Sequence, residues 1–557
     1  MTAVDDHLAT TAPVSKSRSP QHTARSNADH TARWIAMGAA FLSIAAYAYF
    51  ASRGEALGYR DSISHLQIAA RTLQSPTAGF GQLGGVWLPL PHILMLPLVW
   101  IKPFYYSGFA GSAISMISFV IASRYVYKIG FGLTKRQMPA IAGTLVFALN
   151  PNVLYLQSTA MTELLLFATI TASTYYAQKW IQAENHSGGY RYLLASACAA
   201  FLGCLARYEA WTLTAAMAVV VVFVAWRRYG VRAAEGIALS YLFLAGAAAV
   251  IWMGWNWLIF GSPLNFQNGE YAKPSLWVSN REQALGHTWI AIETVWYAVV
   301  DNLGIALMMA MLVGAVLMVV RRRGLDVLPV LSLLTIAPFF VLALAVGQRP
   351  LHVVQLTGDL YNIRFGLLLV LPAAIMVTYL VSLVPPRWTL GAVAVAALTT
   401  VSSVMWGGLQ EIATLAEAGH GPTGIINNVS QGQSGTSNEA LETSQYLHKY
   451  YDDGLILSES FGNESILFDA RIPLSNNVYE GSYQMWKPAL RYPSEQHIKW
   501  IVMRTGRGGW SGTPPNGDWS NAPDEVYRQL NGSTQLNDYD RVFTDALYTV
   551  YKRKNQP

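Results

Sequence analysis

Apolar runs of membrane-spanning length follow one another along most of this chain. The first is WIAMGAAFLSIAAYAYFA from Trp34, and others cover about residues 106–128, 138–156, 163–181, 190–206, 210–227, 235–258, 300–320, 327–346, 363–384 and 388–407, eleven in all. A helix needs roughly 20 mostly apolar residues to cross a bilayer. With 52% hydrophobic and only 13% charged residues, the chain also holds more apolar surface than water-soluble domains of ordinary size can bury. An α-helical polytopic membrane protein with about 11 transmembrane helices is the expected fold class. The 18 Trp and 29 Tyr suit its two membrane interfaces. A formal charge of +6 scattered among loops is no footprint for nucleic acid. Cys198 and Cys204 lie in one apolar run with no metal-ligand pattern around them and read as core packing.

Residues 1–33 are rich in Ser, Thr, Ala and His without apolar periodicity, which predicts a disordered cytoplasmic tail. The run after it has no small-residue cleavage pattern and reads as an uncleaved anchor. With the N-terminus inside, the inner loops carry Arg124/Lys128/Lys135/Arg136, Lys179/Arg191, Arg227/Arg228/Arg232, Arg321/Arg322/Arg323 and Arg387, as the positive-inside rule asks. The expected location is thus the plasma (inner) membrane, crossed many times, with everything after Trp406 outside. A Gly/Ser/Asn-rich linker is expected at 409–437. At 438–557 strand-like runs (GLILSES, IKWIVMRT, DALYTVYKR) and helix-like ones (ALETSQYLHKYY, APDEVYRQL) predict a small extracytoplasmic α/β domain.

This topology gathers the unusual polar residues on the outer side of the domain at 34–408. Asp61 and His65 fall in the first outer loop (YRDSISHL), Glu163 begins the fourth run, and Arg207 and Glu209 close the fifth (LARYEAW). Arg349, His352, Asp359 and Arg364 occupy QRPLHVVQLTGDLYNIRF. Charges at membrane depth cost several kcal/mol unless paired or hydrated, so such a cluster marks a site. Ile63, Leu66, Ala70 and Leu73 form one helical stripe opposite Asp61, His65 and Thr72, which predicts a helix lying in the membrane plane. The following GFGQLGGVWLPLPHILMLPLVWI is broken by prolines and glycines and reads as a re-entrant or juxtamembrane segment presenting Trp87 and His92.

The first-loop aspartate before an amphipathic helix, followed by VWLPLPHIL, resembles the membrane glycosyltransferases of the GT-C fold, in particular the group of protein O-mannosyltransferases and lipid A aminoarabinose transferases. ALNPNVLYLQSTAMTELLL, ARYEAW, NWLIFGSPLNF and NIRFGLLLVLPAAIMV resemble further segments of that group, in the same order, over about residues 34–408. The resemblance implies transfer of a sugar from a polyprenyl-phosphate donor to a glycan, lipid or protein acceptor on the outer face, generally with inversion. It makes Asp61 the general base. A growing lipid-phosphate charge needs cations, and Arg364 matches the family's late arginine. Arg349 and His352 are placed beside it by topology, with His65, His92 and Arg207 as further substrate-binding candidates.

Ser62 follows Asp61 where many relatives have an acidic residue, so Glu163 or Glu209 is the candidate for the second acid. There is no HExxH, no Cys/His cluster and no Gly-rich phosphate loop; the expectation is no cofactor, with a loosely held divalent cation left open. Two other classes compete. A transporter or flippase of lipid-linked sugars would also gather charges, but no internal repeat is evident. A receptor or scaffold would account for the outer domain and leave Asp61 unexplained.

Overall fold

The computed structural model describes residues 20–83, 85–183, 186–274, 278, 282–322, 324–420, 436–505 and 523–554. Residues 1–19 of the expected tail, Arg323 and most of the expected linker lie outside them. Each apolar run coincides with helix. The first lies within Pro20–Ser52, and later ones give Phe109–Thr134, Glu163–Gln182, His186–Cys204 and Ile305–Arg321. Two breaks fall at glycines. Glu209–Phe260 turns at Gly230 (φ 77°, ψ 175°), a backbone state open to glycine, and residues from both halves meet in one apolar cluster. At Gly304 (φ 74°) the helices Thr288–Leu303 and Ile305–Arg321 meet at 111°, with Gly304 close against the backbone of Ser403. Among the described residues, six helices are long and apolar enough to cross a membrane, or seven if that bent pair is one span. The protein is an integral membrane protein.

These helices pack around Ile363–Ser382, whose most apolar stretch is 89% buried, against 22% for the first helix. Gly143 lets Gln137–Ala148 lie directly on this central helix at Ala374 and Thr378. Arg364 is therefore carried on the most enclosed element of the bundle.

Asn150 caps Pro151–Leu156 by accepting from the N–H groups of Asn152 and Val153. Asn152 Oδ1 accepts from Thr414 N and Oγ1, at 2.9 and 3.0 Å, and so docks a helix, Ala413–His420, onto the bundle. Flexible linker was expected from 409; Ala413, Ala416, Glu417 and Ala418 are instead buried, because this alanine-rich turn fills a groove rather than facing water.

The C-terminal domain is a five-stranded sheet of β1 (Leu455–Leu457), β2 (Asn477–Val478), β3 (Ile498–Arg504), β4 (Tyr539–Thr544) and β5 (Tyr548–Arg553) in the order β2-β1-β3-β5-β4. β1 pairs parallel with β2 and β3, while β5 is antiparallel to β3 and β4. The helices Thr436–Tyr450 and Glu464–Asp469 pack on it around Trp500, Val502 and Val550.

Candidate active site

The segment after the first long helix forms the expected helix, Arg60–Gln74. Ile63, Leu66, Ala69 and Ala70 pack on Met95, Val99 and Tyr105 from below and on Phe468 and Leu474 of the C-terminal domain from above. The polar face was expected to be exposed, but His65 is buried against Trp87 and His92 and Thr72 is buried too, whereas Leu73 of the supposed apolar stripe is 40% exposed. Leu90–Val99, ten residues with Pro97 inside, is too short to span and lies beside this helix.

Asp61, in the first helical turn, accepts from Arg364 Nη2 at 2.8 Å through Oδ2. Arg364 also donates to Glu163 (Nε, 3.2 Å) and Glu417 (Nη1, 2.9 Å). Glu163 Oε1 also takes Arg207 Nη1 at 2.8 Å, and Arg207 grips Glu209 through Nη2 and Nε at 2.7 and 3.2 Å. Four carboxylates are thus strung on two guanidiniums, with Tyr59 O–H and Asn362 N–H also donating to Glu417 at 2.9 and 2.7 Å. The Asp61 side chain stays 23% exposed, and its Oδ1 has no partner among the described residues.

Asp61 opens into a cavity of about 560 Å³ between the bundle and the C-terminal domain, lined also by His65, Arg207, Glu209, Arg349 and Arg364. Three sequence candidates lie off this wall. Glu163 is fully buried behind it and bridges Arg207 and Arg364, a structural counter-charge rather than a second acid at the cavity. His92 is buried and meets His65, Nε2 to Nδ1, at 2.9 Å. His352 sits between Asp359 Oδ2 (2.8 Å) and Glu282 Oε2 (3.0 Å), which occupies both ring nitrogens. Burial, then the charges of Arg207 and Arg364, push the His65 pKa down to about 3, so its ring faces the cavity neutral.

Arg364 was expected to meet phosphate, but each of its three nitrogens is engaged by a carboxylate. The cavity offers other guanidiniums. Arg60, Arg71 and Arg349 line it, and none has a carboxylate within ion-pair distance among the described residues. Arg71 is buried, donates to Gln67 Oε1 at 3.0 Å, and stacks over Tyr479 of the C-terminal domain at 4.0 Å. Its Nε has no partner among the described residues. Arg60 and Arg71 were missed because arginines beside an apolar stripe read as interface anchors; the signal available was their spacing from Asp61 on the same short helix. Glu417 was missed because ATLAEAGH follows the last apolar run and looks like linker. Among the described residues, no three His, Cys, Asp or Glu side chains come together as a metal-binding group.

No protein-family model matches the chain, and no curated protein matches its sequence. Solved structures do. The chain is similar to ArnT, the aminoarabinose transferase from Cupriavidus metallidurans, bound to undecaprenyl phosphate: TM-score 0.55 at 12% identity over 94% of this chain and 97% of that one. Apo ArnT aligns at TM-score 0.51 and 13% identity over 89% and 92% of the two chains. The Archaeoglobus fulgidus oligosaccharyltransferase, tethered to an acceptor peptide with an NVT sequon, aligns at TM-score 0.50 and 10% identity over 86% and 69%. Both neighbours are membrane glycosyltransferases, and the fold that this chain shares with them is GT-C.

Proposed function

We propose that the chain transfers a sugar from a polyprenyl-phosphate carrier to an acceptor hydroxyl, with inversion, in the cavity beneath the C-terminal domain on the outer face of the plasma membrane. The observation that carries this reading is Asp61. One oxygen is anchored by Arg364, the other is open to a cavity that also presents Arg60, Arg71 and Arg349 without carboxylate partners.

The Arg364 contact fixes the direction of the Asp61 carboxylate, as a general base requires. Oδ1 takes the proton of the acceptor hydroxyl as that oxygen bonds to the anomeric carbon. The bond from that carbon to the carrier phosphate breaks, and its electron pair leaves with the phosphate. The charge that grows there is met by the three guanidiniums, arginine being able to offer phosphate two parallel donors. The products are the glycoside and the lipid phosphate, and Asp61 gives up its proton to solvent.

The test is to supply the purified protein with a panel of undecaprenyl-phosphate sugars and measure release of undecaprenyl phosphate. A transporter would return its donor intact. Asp61→Asn keeps the shape and removes the basicity, so the rate is expected to fall roughly 10²-fold or more while thermal stability stays near that of the parent. His65→Ala, one turn away, is the milder control. Retention of most activity by Asp61→Asn with a turned-over donor would remove Asp61 from the role.

A further inference from the structure

The parallel part of the C-terminal sheet reads β2-β1-β3, so the chain moves to one side of β1 and then returns to the other. In open α/β sheets ligands bind outside the carboxyl ends of the strands at such a reversal, which in this order lies between β1 and β3, with the loop after β1 on it and the loop after β2 next to it. Here that edge faces the cavity. Phe461, Gly462 and Glu464, after β1, and Tyr479, Glu480 and Tyr483, after β2, line its outer wall.

The two loops are firmly built. Ser460 donates to Glu480 through N and Oγ, at 2.8 and 2.6 Å, which ties one loop to the other. Gly462 has φ 76°, and a Cβ there would come within 2.6 Å of Arg504 Nη1. Tyr483 holds φ 41°, a left-handed state costly for an aromatic residue and characteristic of ligand clamps. Glu464 accepts from Gly462 N through Oε1, while Oε2 is buried without a partner among the described residues. A further ring, Tyr271, comes from a membrane-domain loop and lies 5.4 Å from Phe461.

Among the described residues this wall offers aromatic faces and carboxylate acceptors and has no lysine. Of the arginines, Arg71 reaches this wall and covers the ring of Tyr479 at 4.0 Å, which leaves Phe461, Tyr483 and Tyr271 as the wall's aromatic faces. A neutral polyhydroxylated ligand suits the part of this wall formed by Phe461, Tyr483, Glu464 and Glu480, its hydroxyls donating to the carboxylates and its C–H faces resting on the rings. We propose that the loops after β1 and β2 form a saccharide subsite for the acceptor, which makes the acceptor a glycan. The proposal rests on reading the cavity as a glycosyl-transfer site and adds the substrate class.

The experiment uses the full chain in nanodiscs, with saturation-transfer NMR. The probes are neutral manno-, gluco-, galacto- and arabino-oligosaccharides, a Ser/Thr-containing peptide, and undecaprenyl phosphate. At least one oligosaccharide is expected to bind the parent. Glu464→Gln, which keeps the shape, should weaken that binding by about tenfold, the size expected for a lost hydrogen bond to a charged group. Tyr483→Ala should weaken it too, and neither should change undecaprenyl phosphate binding. Binding of undecaprenyl phosphate but of no oligosaccharide overturns the subsite and leaves the transfer reading standing, as does binding of the peptide alone. Saccharide binding that ignores both substitutions also overturns it. If the two variants instead raise the KM for the undecaprenyl-phosphate sugar and spare the oligosaccharide, the wall holds the donor's sugar and the acceptor assignment falls. Failure of the parent to bind undecaprenyl phosphate counts against the transfer reading itself.

Discussion

Arg364 sets the arrangement of the site because each of its three nitrogens meets a different carboxylate. Removing one partner of a buried ion pair leaves a charge uncompensated, which costs about 3–5 kcal/mol. Glu417→Ala removes the partner of Arg364, Tyr59 O–H and Asn362 N–H together. It is therefore expected to lower the thermal unfolding temperature clearly and to cut lipid-phosphate release, with Glu417→Gln milder on stability. A Glu417→Ala protein as stable as the parent would show that the helix Ala413–His420 is dispensable for holding Arg364. The residues legible in the sequence were those whose charge stands out against an apolar run, such as Asp61, Arg207 and Arg364. Glu417 was not legible, since its meaning depends on a groove made by Asn152 and Arg364, far away in sequence.

At the scale of elements, the loop from Gly347 to Asn362 is pinned by backbone bonds between His352 and Tyr361 and by the two carboxylates on the His352 ring. Burial opposes a charge on that ring, but the hydrogen bonds and charges of Asp359 and Glu282 outweigh it and raise the pKa to about 9. A raised histidine pKa stabilises the folded state fully below the ordinary value of 6.5 and loses that contribution as pH rises toward 9. Hydrogen exchange in residues 350–361 is thus expected to speed up between pH 6.5 and 9, beyond the intrinsic increase of exchange with pH. His352→Gln should abolish that excess, and an excess unchanged by the substitution would show the ion pairs contribute nothing to this loop. The helix Arg60–Gln74 and the helical character of each apolar run were readable because period and length survive in any environment. The cover over Arg60–Gln74 was not, because its lid comes from Phe468 and Leu474 of another domain. Gly230 and Gly304 likewise look ordinary in sequence, and only packing shows that the chain turns there.

For the whole molecule, orientation follows from the charge of the loops. A reporter fused after Gly324 is expected to be active only in the cytoplasm and one after Asn427 only outside it; the opposite result at either point would take the polar cluster off a single face. The strands β1, β3 and β5 and the helices Thr436–Tyr450 and Glu525–Leu530 of the C-terminal domain were legible as strand-like and helix-like runs. How that domain sits was not, because Gln67 donating to Glu464 O, Gln82 to Gly481 O and Tyr483 to Gly81 O join segments about 400 residues apart. Those contacts have a consequence for biosynthesis. While the nascent chain is being inserted, Arg60–Gln74 emerges early and Arg364 much later, and the roof of the cavity is translated last. A ribosome-bound or truncated chain holds Asp61 without its outer wall, so the proposed site is complete only once the final hundred or so residues have been made and folded.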